Sequence, residues 1–366
     1  MGAIKALDFV VKRDDLQQSK TLEKNYPDQL DDNKVLFKID LFSFTSNNIT
    51  YAVSGDRLGY WKFFPTKDGY GIIPAWGFAE VIRSTHPEVS IGQRFYGYFP
   101  MSSHLLVSPA KVGVNGFMDG MPHRKELPSV YNYYSNIEAD STITPKTEKL
   151  FSIFRPLFVT SFLIDDFLTE QDFFQTTKII LTSASSKTAQ ALACLLNDRK
   201  KKEGLNLKII GLTSKANSGF VSGLGWYDQT ICYDEIDQLN SNHKHIVVDF
   251  TGNHETQFRL QSVLGEHLVY NCLVGLVDWK NMKGKHKLPK KGEFFFAPAH
   301  AEKRQKEWGM AKLSQNLGMA WKLFEDAVIS TLEIKDYKGA QNLKQVYSDM
   351  LNGKIDPKQG NILSLS

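Results

Sequence analysis

The stretch KIILTSASSKTAQALACLL, residues 178–196, sets small hydroxylic residues between an apolar strand-like run and an apolar helix-like one. Backbone N–H groups collect at such a helix start and bind phosphate. Ser183, Ser185, Ser186 and Thr188 offer hydroxyls there, and Lys187 offers positive charge. Dinucleotide turns usually carry three glycines spaced GxGxxG. Here that spacing falls on Ala184, Ser186 and Ala189, all small and none glycine. The same residues also fit an ordinary helix start, with Ser185 or Ser186 as the N-cap.

A second run, Leu207–Leu212, leads into Thr213, Ser214 and Lys215. A site for NAD wants an acid at this point, to accept from the ribose 2′-hydroxyl. Two hydroxyls and a cation suit a 2′-phosphate instead. The pair of turns therefore favours NADP(H) over NAD; the alternative for Lys215 is a solvated lysine in a strand-to-helix loop.

These turns need a sheet to hold them. From about Leu150 the chain alternates. A helix is expected over Phe151–Leu168 and another over Thr188–Leu196, with a short one at Ser218–Leu224. Strands are expected at Lys178–Thr182, Leu207–Leu212, His245–Phe250, His267–Leu273 and Glu293–Phe296. Such alternation predicts a doubly wound parallel sheet with right-handed crossovers. The first ~110 residues read differently: short strands such as Val35–Leu41 and Gly92–Phe99, broken by Gly and Pro, predict a β-rich barrel or sandwich. Residues Asn115 to Pro145, rich in Pro, Asn, Ser and Tyr, read as a long surface excursion. Helices are expected near Lys303–Ser330 and Lys338–Leu351, then a last strand, Asn361–Leu365.

At 366 residues, two domains are expected. No apolar run reaches the ~20 residues of a spanning helix, and residues 1–15 lack the apolar stretch of a signal peptide. A formal charge of +4 is too mild to argue for nucleic acid. Three dispersed cysteines, Cys194, Cys232 and Cys272, read as reduced, buried thiols of a cytoplasmic protein. No GxSxG elbow supports a serine hydrolase. Arg199 to Lys202 read as a solvated helix C-terminus. Lys280 to Lys291, with six lysines around His286, read as an exposed loop, or less simply as a greeting for a phosphate-bearing carrier.

Three stretches carry a family resemblance. Within Asn33–Val112, NKVLFKIDLFSFTSNNIT, IPAWGFAEVIRS and IGQRFYGYF are similar to the early strand and loop, the elbow strand and the barrel closure of the medium-chain dehydrogenase/reductase superfamily. The nucleotide unit continues through LGWY, TICY and VVDFTG, residues 247–252, and TLEIKDYKGAQNLKQVYSDMLNGKIDPKQGNILSL resembles the superfamily's C-terminal helix and closing strand. The chain most resembles the zinc-free quinone and enoyl reductase branch, in a divergent family catalogued as a domain of unknown function. The resemblance implies an α/β protein with a GroES-like β-rich catalytic domain, residues 1–155 with 300–366, and a Rossmann domain, residues 156–299.

It also implies roles. Tyr233, Thr251, Gly252 and Leu273 join the cofactor residues above. The zinc members carry Gly-His-Glu at the elbow and an earlier Cys; here the elbow is Gly77-Phe78-Ala79-Glu80 and the early loop is Ser46-Asn47-Asn48, so no catalytic metal is expected. Without zinc, a hydroxyl is the natural proton source. Tyr60 and then Tyr51 are the candidates, with Asn48 polarising the substrate and Trp61, Phe63 and Phe64 walling an apolar pocket or filling the core. The implied partner is a small carbonyl, quinone or enoyl substrate, with a homodimer open as an assembly. The competing reading is a non-catalytic NADPH-binding sensor or scaffold.

Overall fold

The computed structural model describes residues 2–140, 142–239, 242–274 and 292–365; the lysine run at 280–291 lies outside them. Contacts divide the chain into one unit of residues 1–153 and 333–366, and a second of 154–332.

The first unit is β-rich. A nine-stranded sheet runs in the order Glu333–Lys338, Gln359–Ser364, Val35–Phe44, Pro74–Ser84, Arg94–Pro100, Tyr133–Asn136, Gly116–Asp119 and Pro109–Gly113, with His104–Val107 also paired to Val35–Phe44. A smaller sheet joins Ser19–Tyr26, Ile4–Lys12 and Tyr70–Gly71. Apolar alternation puts Phe37 at the centre of the core, its ring 5.6 Å from those of both Phe95 and Phe99. Two glycines oppose each other across neighbouring strands, Gly77 and Gly97. A Cβ on Gly77 would stand 2.2 Å from the Leu41 carbonyl oxygen, and one on Gly97 would stand 2.4 Å from the Tyr134 ring. Backbone approach, not turn geometry, requires glycine at both.

The expected surface excursion at 115–145 is instead largely built into this unit. Gly116–Asp119 and Tyr133–Asn136 are strands of the large sheet, and Phe117 and Tyr134 are fully buried. Between them Arg124, 1% exposed, ties the segment down. Its guanidinium donates to Asp119 Oδ2 at 2.9 Å, to the Tyr134 hydroxyl at 2.8 Å and to the Tyr131 carbonyl at 3.0 Å.

The second unit holds a six-stranded, all-parallel sheet: Gln229–Cys232, Lys208–Thr213, Lys178–Leu181, His245–Asp249, Leu268–Leu273 and Gly292–Phe294. The strand order steps outward from Lys178–Leu181 in both directions, the doubly wound arrangement with its switch point beside that strand. The helices Ala297–Trp308 and Met310–Val328 belong here, not with the β-rich unit, so the expected boundary at 300 moves to 332/333. The physical reason is packing. Phe158 meets Trp321 and Phe324 at ring distances of 5.2 Å, and Asp166 accepts from His300 at 2.7 Å and Arg304 at 2.5 Å. The basic run is likewise only partly solvated. Arg199 clasps Asp165 through two bonds of 2.7 and 3.1 Å, and Lys200 pairs with Asp228.

Candidate functional site

In the second unit, the turn after Lys178–Leu181 is shaped by Ser183, whose φ of +49° lies in the left-handed region. A non-glycine residue there is uncommon, and three interactions hold it. The Ser183 N–H donates to the Tyr233 hydroxyl at 2.9 Å, the Ser183 carbonyl accepts from the Ser186 N–H at 2.7 Å, and the Ala184 N–H donates to the Leu212 carbonyl at 3.0 Å. Ser186 is the N-cap of the helix Lys187–Glu203, its Oγ accepting from the Ala189 N–H. Thr188 presents its carbonyl to Ser161 at 2.8 Å. Lys187 is buried, with its ammonium 5.7 Å from the Phe154 ring centre, so its charge is directed into the unit's own packing.

The second strand ends on Thr213, buried, and Ser214, half-buried. Lys215 is exposed at the start of a short helical turn. That turn carries Asn217, whose side-chain amide donates to Ser185 Oγ at 3.1 Å. Asn217 belongs to no motif in the sequence, yet it links the two loops expected to meet one ligand. Burial pushes the Tyr233 phenol up to about 12, with the Ser183 N–H pulling the other way. Its oxygen is an acceptor toward Ser183, so its own proton is the one it can donate.

Asp249, fully buried, orders the next loop. Its Oδ1 accepts from the Thr182 hydroxyl at 2.6 Å, the Thr251 N–H at 3.1 Å and the Thr251 hydroxyl at 2.7 Å, and its Oδ2 accepts from the Gly252 N–H at 3.0 Å. Gly252, at φ +60°, needs the freedom glycine has. Leu273 closes its strand, half-buried. The sheet thus brings Ser183, Ala184, Ser185, Ser186, Ser214, Lys215, Tyr233, Thr251, Gly252 and Leu273 to the carboxyl ends of its strands, where open α/β sheets bind ligands.

The first unit holds a cluster of phenols. Tyr51 sits on the helix Ser46–Val53 and Tyr60 on the short turn Tyr60–Lys62, with ring centres 4.5 Å apart. Tyr98 stands edge-on to Tyr51 at 5.7 Å, and Tyr131 lies 4.7 Å from Tyr98 and 6.2 Å from Tyr60. Trp76 packs 5.1 Å from Tyr98, directly opposite it across the strand pair. Burial pushes the phenols of Tyr51 and Tyr60 well above their ordinary range. Trp61 and Phe64 are buried in the unit's core, and Phe63 walls the phenols at 5.3 Å from Tyr98.

Asn48 sits apart in its chemistry. Its Oδ1 accepts from the Thr45 N–H at 2.8 Å, and its Nδ2 donates to the Pro74 carbonyl at 2.9 Å. It caps the helix carrying Tyr51 and fastens it to the elbow strand, so the expected polarising amide is already engaged. Among the described residues, one group is compact enough for a metal: Cys232, Asp234 and Glu235. It lies in the second unit, and Cys232 is the N-cap of its own helical turn. Among the described residues no helix is long and apolar enough to cross a membrane.

A β-rich unit interrupted by a doubly wound parallel sheet defines the medium-chain reductase fold. The same fold is found in CurA of Vibrio vulnificus, solved with NADPH, at 11% identity and a TM-score of 0.60, over 98% of this chain and 99% of that one. It recurs in the yhdH oxidoreductase of Salmonella enterica, solved with NADP, at 11% identity and 0.53, over 98% and 100%. The mitochondrial 2-enoyl thioester reductase Etr1p/Etr2p heterodimer of Candida tropicalis matches at 12% identity and 0.55, over 99% and 100%. No curated protein matches the chain. The chain belongs to the DUF2855 family, described as a protein of unknown function, which it matches over residues 42–356.

Proposed function

We propose that the chain is a zinc-independent, NADPH-dependent oxidoreductase that reduces a carbonyl, a quinone or an activated alkene. The observation that supports this most is the turn Ser183–Ser186, held open at a helix N-terminus by Tyr233 and Asn217. Its hydroxyls, with the first backbone N–H groups of the helix Lys187–Glu203, make a set that fits a pyrophosphate. At the neighbouring loop, Ser214 and the exposed Lys215 fit the extra anion of a 2′-phosphate. CurA and the yhdH oxidoreductase, which share the fold, are solved with NADPH and NADP.

When bound, NADPH supplies a hydride. The residues of this chain supply the rest. The turn and Ser214–Lys215 bind and orient the cofactor, and Thr251, Gly252 and Leu273 line the loops beyond. Tyr51 or Tyr60 gives a proton to the atom on which the substrate's electron pair collects. The aromatic rings around them favour a flat, conjugated, uncharged substrate. A phenol is the natural donor because the elbow carries Phe78, fully buried, and no imidazole.

The test is a calorimetric titration of NADPH and NADH, with turnover measured over a panel of quinones, enones and simple carbonyls. NADPH should bind more tightly, and Lys215→Ala should weaken it about 10–100-fold while NADH scarcely changes. Equal affinity for the two cofactors would remove the 2′-phosphate assignment. Tight NADPH binding with no turnover over the panel would favour a sensor or scaffold.

A further inference from the structure

Tyr51 and Tyr60 both offer a phenol, but their polar surroundings differ. Trp76 Nε1 and the Tyr98 hydroxyl are sealed from solvent, and neither meets a partner at full hydrogen-bond geometry. Both belong to rings packed around the Tyr51 phenol, Tyr98 edge-on at 5.7 Å and Trp76 against Tyr98 at 5.1 Å. Buried polar hydrogens without partners are costly, and a native fold keeps them where they have work to do. Asn47, one helical turn before Tyr51, faces the same phenol. Tyr60 is half-buried, and its hydroxyl is matched by Tyr131 alone.

We propose that Trp76 and Tyr98 are positioning residues that make Tyr51 the proton donor, by aiming two buried donors at the phenolate it leaves behind. The inference rests on the reductase reading. In the step, hydride adds to the carbonyl or conjugated carbon and NADPH is oxidised to NADP. The electron pair moves to oxygen or to the α-carbon, and the Tyr51 O–H bond breaks to protonate that atom. The Tyr51 oxygen then carries the negative charge until solvent returns a proton. An indole N–H can only donate, so Trp76 can stabilise this anion and does nothing for the neutral phenol's proton. Burial and the neighbouring Tyr131 phenol oppose ionisation of Tyr51, while Trp76, Asn47 and Tyr98 each favour it.

The experiment replaces Tyr51 by 3,5-difluorotyrosine, whose phenol ionises near neutral pH, and follows its fluorine resonance against pH. Trp76→Phe and Tyr98→Phe are each expected to raise the midpoint by about one unit. Tyr60→Phe, which removes a phenol but no donor to Tyr51, should leave it in place. Unchanged midpoints in both variants would overturn the proposal, as would a larger shift from Tyr60→Phe. Should Trp76→Phe fail to fold, Tyr98→Phe, which deletes one hydroxyl, decides alone. NADPH affinity is titrated in parallel: if the parent does not bind NADPH the reductase reading fails, and the fluorine midpoints still decide the relay.

Discussion

The Tyr233 hydroxyl accepts the backbone N–H of Ser183 at 2.9 Å, across a gap of 50 residues in sequence. One phenol thereby fixes the only non-glycine residue of the phosphate-type turn that has a left-handed backbone. Tyr233→Phe leaves that N–H without its acceptor, a cost of about 1 kcal/mol. Because the bond shapes the turn, NADPH and NADH should weaken alike, by roughly 5-fold. A calorimetric comparison of both cofactors checks this, and a loss confined to NADPH would instead put the phenol on the 2′-phosphate.

Arg124 and Asp119 form an ion pair whose side chains are 1% and 2% exposed. Removing one partner of such a pair strands the other charge, at a cost of about 3–5 kcal/mol. Arg124→Met should therefore lower stability by that amount in urea unfolding. Asp119 keeps its bonds from the Ser108 and Met121 N–H groups, so the segment should loosen around Tyr131 rather than around Ser108.

His245, 1% exposed, is held at about 4 by burial, helped by the charges of Lys178, His243 and His267. Its folded value lies below the unfolded one of about 6.5. The unfolded chain therefore binds more protons between those values, and stability falls as pH drops through that window. The loss levels off below about pH 4, after up to about 3 kcal/mol. Unfolding free energies of the parent and of His245→Leu, measured from about pH 7 to pH 4.5, should differ in slope, the variant being flatter.

The parallel sheet was largely legible in the sequence. Its central strands are short apolar runs, and each expected strand from Lys178 to Phe296 is found within a few residues. The strand Glu333–Lys338 gave no such signal, because nearly every residue of it is exposed at the sheet edge. Asn115–Pro145 misled for the opposite reason: its buried Phe117, Arg124 and Tyr134 are few and far apart in sequence, and only pairing in register sets Phe117 opposite Tyr134. At the candidate site, residue types were readable but partners were not. Asn48 reads as a polar group near a cleft, yet it is consumed as a helix cap. Trp76 and Tyr98 did have a signal, the alternation of aromatic and glycine in Trp76-Gly77-Phe78 and Tyr96-Gly97-Tyr98, but only pairing in register sets the two rings opposite each other.

The strand Gln359–Ser364 pairs with Val35–Phe44, so that the Asn361 amide reaches the Phe44 carbonyl 317 residues away. On the ribosome this has a kinetic meaning. The parallel sheet, made from residues 178 to 294, has all its strands available while Val35–Phe44 still lacks one neighbour. At ~5–20 residues per second, that strand's apolar flank waits tens of seconds for the segment that covers it. The unit bearing the phenols is therefore the last to close during synthesis and the one most in need of a chaperone's shelter.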